Sequence, residues 1–391
     1  MNYLWLSALL PVAAQAACPD FLVVAHRGAS GHLPEHTLEA YQLAMKMGAD
    51  FIEPDLVPTR DGVLISRHEN DLTHSTNVAD LPQFASRKTT KTVDGLAVTG
   101  WFAEDFSLAE IKQLRAREPL PELRPQGVAH NDQYQLVTLS EIIAAVRQFE
   151  RDTGRKVGIY PETKHPTYFR FEGKHLDGTA IALNTSELLL KELRTQRFTD
   201  PKRVFIQSFE LQNLLELKQQ LMPKYRVSLP LVQLLGDTDH AFMPPKDNFS
   251  VPYDVWYHQQ HNTQLSGLYG EAGRLIAGLK APLDYSQLLQ GQGKTLLQSY
   301  ATGVGPWKSN LYQKGSVTLK PEFAALTSQF QLHPYTLRDE DNYLQKDKDG
   351  KSFSLRFEAN ALMQQGVQGV FSDYPDLVLA ERNEWRQSCE K

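Results

Sequence analysis

Cysteine, excess charge of one sign and long apolar runs are all scarce in this chain of 391 residues, which has two cysteines and a formal net charge of -5. Without a basic excess there is no electrostatic footprint for nucleic acid, so binding of that kind is excluded as the main role. The only markedly apolar run at the front, residues 3–10, is far too short to span a bilayer. It is followed by Ala13-Ala14-Gln15-Ala16-Ala17, small residues suited to signal-peptidase cleavage, so 1–17 reads as a secretory signal peptide despite lacking Lys or Arg. Cys18 and Cys389 stand at opposite ends of the remainder. In a cytosolic protein they are two idle thiols, and in an exported one their even number invites a single disulfide that brings the two ends together. Lipid attachment at Cys18 ranks below a disulfide, because Gln15-Ala16-Ala17 lacks the leucine-like residue expected before such a site. Internal repeats, heptads and low-complexity tracts are absent too, which argues for one globular domain over 18–391.

What is present is a long alternation. Strand-like runs fall at 21–26, 51–57, 63–67, 157–163, 204–209, 229–235, 332–337 and 370–374, with helix-like stretches at 37–47, 139–149, 180–193, 211–221, 321–330, 353–365 and 375–384. Sustained strand–helix alternation predicts a parallel sheet with crossover helices, and eight strands predict an α/β fold of the (β/α)8 barrel type over an open doubly wound sheet. Two intervals break the rhythm, at about 69–136 and 236–287. They read as insertions after the third and the sixth strand, long enough to be lids or small added elements.

The chemistry concentrates between Val23 and His68. Glu53 and Asp55 are two apart on a predicted strand, so both side chains point to one face while Pro54 turns away. Glu162 and Lys164 repeat that spacing on another strand. With His26, Arg27 and His68 they gather three carboxylates, two imidazoles and two cations at predicted carboxyl ends of strands, where a barrel keeps its active site. All-oxygen donors suit Ca2+ or Mg2+, whereas zinc, through His26 and His68, is the lesser alternative. A cation and Arg27 would neutralise a phosphodiester, and two histidines would move its protons. Any single one of the 12 histidines is more ordinarily a surface or core residue, and His32, His36, His74, His130, His165 and His333 have weaker claims than His26 and His68. Pro54 donates no ladder hydrogen bond, so a local bulge is expected there.

The ordered set Val24-Ala25-His26-Arg27-Gly28, Pro34-Glu35-His36-Thr37, Glu53-Pro54-Asp55, His68, Tyr160-Pro161-Glu162-Thr163-Lys164, Gln207-Ser208-Phe209, His333-Pro334-Tyr335-Thr336-Leu337-Arg338 and Phe371-Ser372-Asp373-Tyr374-Pro375-Asp376 resembles the glycerophosphodiester phosphodiesterases, in particular their exported bacterial branch. The resemblance implies hydrolysis of small glycerophosphodiesters to glycerol 3-phosphate and an alcohol, with Ca2+ favoured over Mg2+ as cofactor and the periplasm favoured over full secretion. Carried over by position, His26 and His68 look like the general acid/base pair, Arg27 like the phosphate clamp, and Glu53, Asp55 and Glu162 like the metal ligands. Lys164 is expected to help hold phosphate, and Glu35 to organise the ligands rather than join them. Phe209, Trp307 and Tyr335 are expected to wall the glycerol or the alcohol. His68 is followed by Glu69 where many relatives have Asp, which alters the reach of any bond made there. A lipid-directed phospholipase D or sphingomyelinase D-like enzyme, a surface binding protein on the same barrel and a metal-free sugar-handling barrel are the competing readings.

Overall fold

On the first strand, β1 (Leu22–His26), Val23 and Ala25 pack outward toward the helices, while Val24 packs inward against Phe51, Tyr160, Phe205, Val232 and Phe371. That period of two recurs around a closed ring of parallel strands. The structure, a computed structural model, describes residues 18–389, so the expected signal segment lies outside the described residues. After β1 come β2 (Phe51–Glu53) and β3 (Asp55–Pro58), one barrel strand interrupted at Pro54, and then β4 (Leu64–Ser66). The ribbon β5 (Thr89–Val93) and β6 (Leu96–Gly100) follows, then β7 (Gly158–Ile159) and β8 (Glu162–Thr163), interrupted likewise at Tyr160 and Pro161. The ring is completed by β9 (Ile206–Ser208), β10 (Leu231–Leu235), β11 (Gly303–Pro306), β12 (Gln331–Leu332) and β13 (Gly369–Ser372). β13 pairs with β1, β1 with β2, β2 with β7 and β3 with β8, and β8 to β12 pair in succession. The ring closes where Leu337 N donates to Phe371 O at 2.8 Å.

The outer layer is formed by α1 (Leu38–Met47), α2 (Leu139–Thr153), α3 (Thr185–Thr195), α4 (Leu211–Glu216), α5 (Tyr253–Gln260), α6 (Gly291–Gln298), α7 (Leu355–Gln364) and α8 (Pro375–Cys389). Their ends are written in the sequence. Thr37 Oγ1 accepts from Ala40 N at 3.2 Å and Gly48, at φ 114°, ends α1. Thr138 and Glu141 form a reciprocal capping box on α2, which stops at Gly154.

The expected barrel stands, with one strand exchanged. Residues 63–67 were expected in the ring, but β4 pairs antiparallel with β3, Leu56 opposite Ser66, and lies outside it. The eighth member is instead β11, a Gly-Val-Gly-Pro run without an apolar pattern. Counted in the ring, the insertions therefore follow the second and fifth barrel strands rather than the third and sixth. The first is less irregular than its polarity implies, because the β5–β6 ribbon sits over its own apolar cluster of Val57, Ile65, Phe84, Trp101, Phe102 and Phe106. The second contains α5 and the short helices Leu265–Tyr269 and Ala272–Ala277. The helix expected at 321–330 is α-helical only over Pro321–Ala324. Cys18 and Cys389, 371 positions apart, are joined by a disulfide with Cα atoms 5.7 Å apart. Among the described residues no helix is long and apolar enough to cross a membrane.

Candidate active site

The inward layer of Val24, Phe51, Tyr160, Phe205 and Phe371 fixes what stands above it. Two residues further along each strand, on the same face, come His26, Glu53, Glu162, Gln207 and Asp373. Register holds them together: His26 is opposite Glu53, Asp55 opposite Glu162, and Glu162 opposite Gln207. The site is thus the next layer of the barrel core, polar instead of apolar, at the carboxyl ends of the strands.

Glu53, Asp55 and Glu162 each present a carboxylate oxygen within 4.8 Å of the others, and all three are buried. Glu53 accepts from Arg27 N at 2.9 Å and from Gln207 Nε2 at 3.0 Å. Asp55 Oδ2 is bonded to His36 Nε2 at 2.9 Å, while Asp55 Oδ1 is buried without a hydrogen-bond partner. Burial alone would raise the Asp55 carboxyl, but Lys164 and His36 overcome it and hold Asp55 well below the usual range. Burial and the Asp55 charge push Glu53 well up, and they push Glu162 up to about 8 against the pull of Lys164. Three converging carboxylates and one orphaned oxygen fit a hard divalent cation, whose charge would let all three ionise. No sulfur or imidazole completes a zinc-like set among these three.

Pro54 makes no bulge. Tyr160 N to Ile52 O (2.9 Å), Glu162 N to Pro54 O (3.0 Å) and Lys164 N to Leu56 O (3.1 Å) keep a single register past the proline. What the proline removes is a donor, and the Tyr160 carbonyl that an N–H at 54 would bond receives Gln207 Nε2 instead, at 3.4 Å.

Arg27 sits at φ 57° in the turn after β1, next to Gly28, where an added Cβ would lie 2.7 Å from the Ala40 carbonyl carbon. Arg27 Nη1 donates to Glu35 at 2.8 Å and its Nε lies 3.4 Å from Asp55, so Glu35 organises the arginine and is not in the carboxylate cluster. Burial works against the Glu35 charge, yet Arg27 pulls the carboxyl down to about 2. Arg67, fully buried, donates to the carbonyls of Glu35, His36, Ser66 and Ser75 and pins this turn to the strand that follows.

Both histidines are backed by carboxylates. His26 Nδ1 bonds Asp373 Oδ1 at 2.6 Å, and the other Asp373 oxygen faces Arg338 Nε at 2.9 Å and Arg124, which reaches in from the first insertion. Burial, then Arg27, pushes His26 down to about 4, so it is neutral at pH 7 with Nε2 left for chemistry. Burial opposes the Asp373 charge too, but Arg338, His26 and Arg124 hold it well below the usual range. His68 Nδ1 bonds Glu69 Oε1 at 2.8 Å, and its Nε2 lies 3.4 Å from Lys164 Nζ. Burial, Arg27 and Lys164 lower its pKa. Lys164 also pairs with Glu162 at 3.0 Å and lies over the Phe209 ring.

These groups open into a cavity of about 570 Å3. His26, Arg27, Glu53, His68, Glu162 and Lys164 line it, together with Phe209, Trp307 and Tyr335. Asp55 and Glu35 lie behind the surface. Phe249, from the second insertion, joins the aromatic wall by packing on Trp307 and Phe209 with ring centroids 5.2 and 5.9 Å away. Gln207 and Asp373 belong to motifs noticed in the sequence but carried no assigned role, although counting two along from an inward aromatic would have marked both. Arg124 and Phe249 left no such signal, since both arrive from insertions.

Residues 26–269 match the glycerophosphoryl diester phosphodiesterase family. A glycerophosphodiester phosphodiesterase of Arabidopsis thaliana is 30% identical, the match covering 90% of this chain and 83% of that protein. One of Haemophilus influenzae is also 30% identical, covering 91% and 88%. In fold, the chain is similar to an Oleispira antarctica phosphodiesterase solved in complex with the product sn-glycerol-3-phosphate, with a TM-score of 0.50 at 18% identity over 94% of this chain and 97% of that one.

Proposed function

The chain belongs to the glycerophosphoryl diester phosphodiesterase family, and from that premise we propose that it hydrolyses glycerophosphodiesters to glycerol 3-phosphate and an alcohol. The observation that carries this reading is the buried trio Glu53, Asp55 and Glu162, with an unbonded Asp55 oxygen, sharing one barrel mouth with two carboxylate-backed histidines. Glu53, Asp55 and Glu162 would hold the divalent cation, Ca2+ before Mg2+. When bound, it supplies positive charge to the phosphoryl oxygens. Arg27 adds a guanidinium, and Lys164 a second cation beside His68. Asp373 and Glu69 hold the Nδ1 side of the two imidazoles, so each works through Nε2. One takes the proton of the attacking oxygen as the neutral imidazole, and the other, in its charged form with a proton on Nε2, gives that proton to the departing alcohol. A 2-deoxyglycerol analogue separates water from the substrate's own 2-hydroxyl as nucleophile, because undiminished turnover excludes the internal route.

Water-soluble substrates are favoured over a lipid surface. The large apolar side chains exposed among the described residues, Val128, Phe171, Leu176 and Phe357, all lie outside the cavity lining. Glycerophosphocholine, glycerophosphoethanolamine and a lysophospholipid, offered with and without EDTA, test the reading. Hydrolysis of the first two is expected, abolished by the chelator and restored by Ca2+. His26→Ala and His68→Ala should each lower turnover about 10^2- to 10^4-fold with an unchanged circular dichroism spectrum. Near-normal activity in either folded variant would sink the mechanism. We also propose export to the periplasm, supported by the small-residue run before Cys18 and by a disulfide suited to an oxidising compartment. The mass of the protein recovered from cells checks this, since a retained leader contradicts it.

A further inference from the structure

Glu69 lies outside the family-like pattern, and its surroundings give it a task. It follows His68 directly, and its side chain is 49% exposed, so alone it would have little to hold it in place. It is held from the other side: Glu69 Oε1 bonds His68 Nδ1 at 2.8 Å, and Glu69 Oε2 bonds His165 Nε2 at 3.0 Å. His165 Nδ1 in turn bonds Asp94 Oδ2 at 2.6 Å. Asp94 and Gly95 form the tight turn of the β5–β6 ribbon, at φ 49° and 79°. The Asp94 carbonyl accepts from Asn248 Nδ2 of the second insertion at 2.6 Å. A continuous path therefore runs from the tip of the first insertion to an imidazole in the cavity, and the second insertion clasps its far end.

We propose that His165 is a positioning residue of this active site, fixing through Glu69 the orientation and tautomer of His68, with Asp94 as its anchor. The proposal rests on the reading of His68 as an acid/base group. Both nitrogens of His165 face carboxylate oxygens, so both carry protons and the ring is a cation between two anions. Burial disfavours that charge, but Asp94 and Glu69 outweigh it and hold the His165 pKa well above the usual range. With His165 donating to one oxygen of Glu69, the other takes the Nδ1 proton of His68. The lone pair of His68 Nε2 is thereby left beside Lys164, which can only donate to it. The ribbon that carries Asp94 is then part of the catalytic apparatus and not a decoration of the barrel.

His165→Gln and the milder Asp94→Asn test this in the calcium-loaded protein with glycerophosphocholine as substrate. Both variants should lose about 10- to 100-fold in kcat with KM and calcium affinity within twofold of the parent. Glu69→Gln should cost as much alone as together with His165→Gln, because the residues act in series. The 15N signals of the His68 ring should report Nδ1–H in the parent and a tautomer mixture in either variant. Additive losses, a changed KM with kcat intact, or an unaltered His68 spectrum in a folded variant would overturn the proposal. The spectrum does not depend on turnover. A shifted tautomer in a protein that cleaves no glycerophosphodiester would uphold the relay and reject the phosphodiesterase reading.

Discussion

Asp55 shows what a single side chain contributes here. One oxygen is tied to His36, the other is buried and bonded to nothing, and two more carboxylates lie within 4.8 Å. Such a cluster opposes folding until a cation neutralises it. Calcium should therefore stabilise the protein by about 2.7 kcal/mol at a hundredfold excess over its dissociation constant. Glu53→Gln should lose most of that gain, yet be no less stable than the parent in EDTA, since it no longer buries beside Asp55 a carboxyl whose ionisation that site opposes. Thermal unfolding in EDTA and in calcium measures both, and an equal calcium gain in the variant would reject the site. A different buried residue answers to pH. His333 bonds Tyr160 through Nδ1 at 2.9 Å, and burial pushes it down to about 4 from 6.5. The unfolded chain takes up that proton below pH 6.5 and the folded one does not until about pH 4. The stability owed to a neutral His333 is thus full above 6.5 and lost progressively toward 4. His333→Gln should be destabilised at pH 7, with the gap to the parent closing by up to about 3 kcal/mol at pH 4. Urea titrations at both pH values decide this, and a constant gap is the contrary result. Glu53 and Asp55 could be read from the chain as a pair because their spacing of two is local, and Glu162 because it repeats that spacing with Lys164 on another strand. Asp373 could not be paired with His26, because 347 positions separate them and only barrel closure makes them neighbours.

At the scale of elements, strands were legible where inward and outward apolar residues alternate and illegible where glycine replaces them. β11 contributes Gly303 and Gly305 to the interior, and a Cβ on Gly305 would meet the Leu234 side chain at 2.6 Å. The space is already filled by neighbours, so the strand needs no large residue of its own and shows no apolar signal. β4 misled for the opposite reason. Its Leu64 and Ile65 are buried, but Ile65 serves the core of the first insertion, not the barrel. Gly158 on β7 tests the same packing rule beside the site. An added methyl would lie 2.1 Å from the Phe51 ring, which is packed edge-on against Phe205 and Tyr160 directly beneath Glu53. Gly158→Ala should cost about 1–3 kcal/mol in urea unfolding. A variant as stable as the parent would mean that the inner layer is looser than these contacts imply.

At the scale of the whole molecule, the two ends of the barrel have separate tasks. The chemistry sits where the strands finish, at His26, Glu53, Glu162 and Asp373, whereas Cys18 precedes β1 and joins Cys389 at the close of α8. Closure does not depend on that bond alone. β13 pairs with β1 from Leu22 opposite Gly369 onward, Arg382 donates to Phe21 O at 2.9 Å, and Val378 and Leu379 pack in the core. The reduced chain should therefore still fold and turn over at 25 °C. What it loses is the constraint on the unfolded state, where a link between residues 371 positions apart removes much chain entropy. Joint replacement by Cys18→Ser and Cys389→Ser should lower stability by about 2–5 kcal/mol, with kcat and KM unchanged. Reductant should shift the unfolding of the parent to that of the double variant and leave the variant untouched. If the serine protein instead loses activity while still folded, strain at the bottom of the barrel reaches the mouth, and the separation of the two ends is wrong.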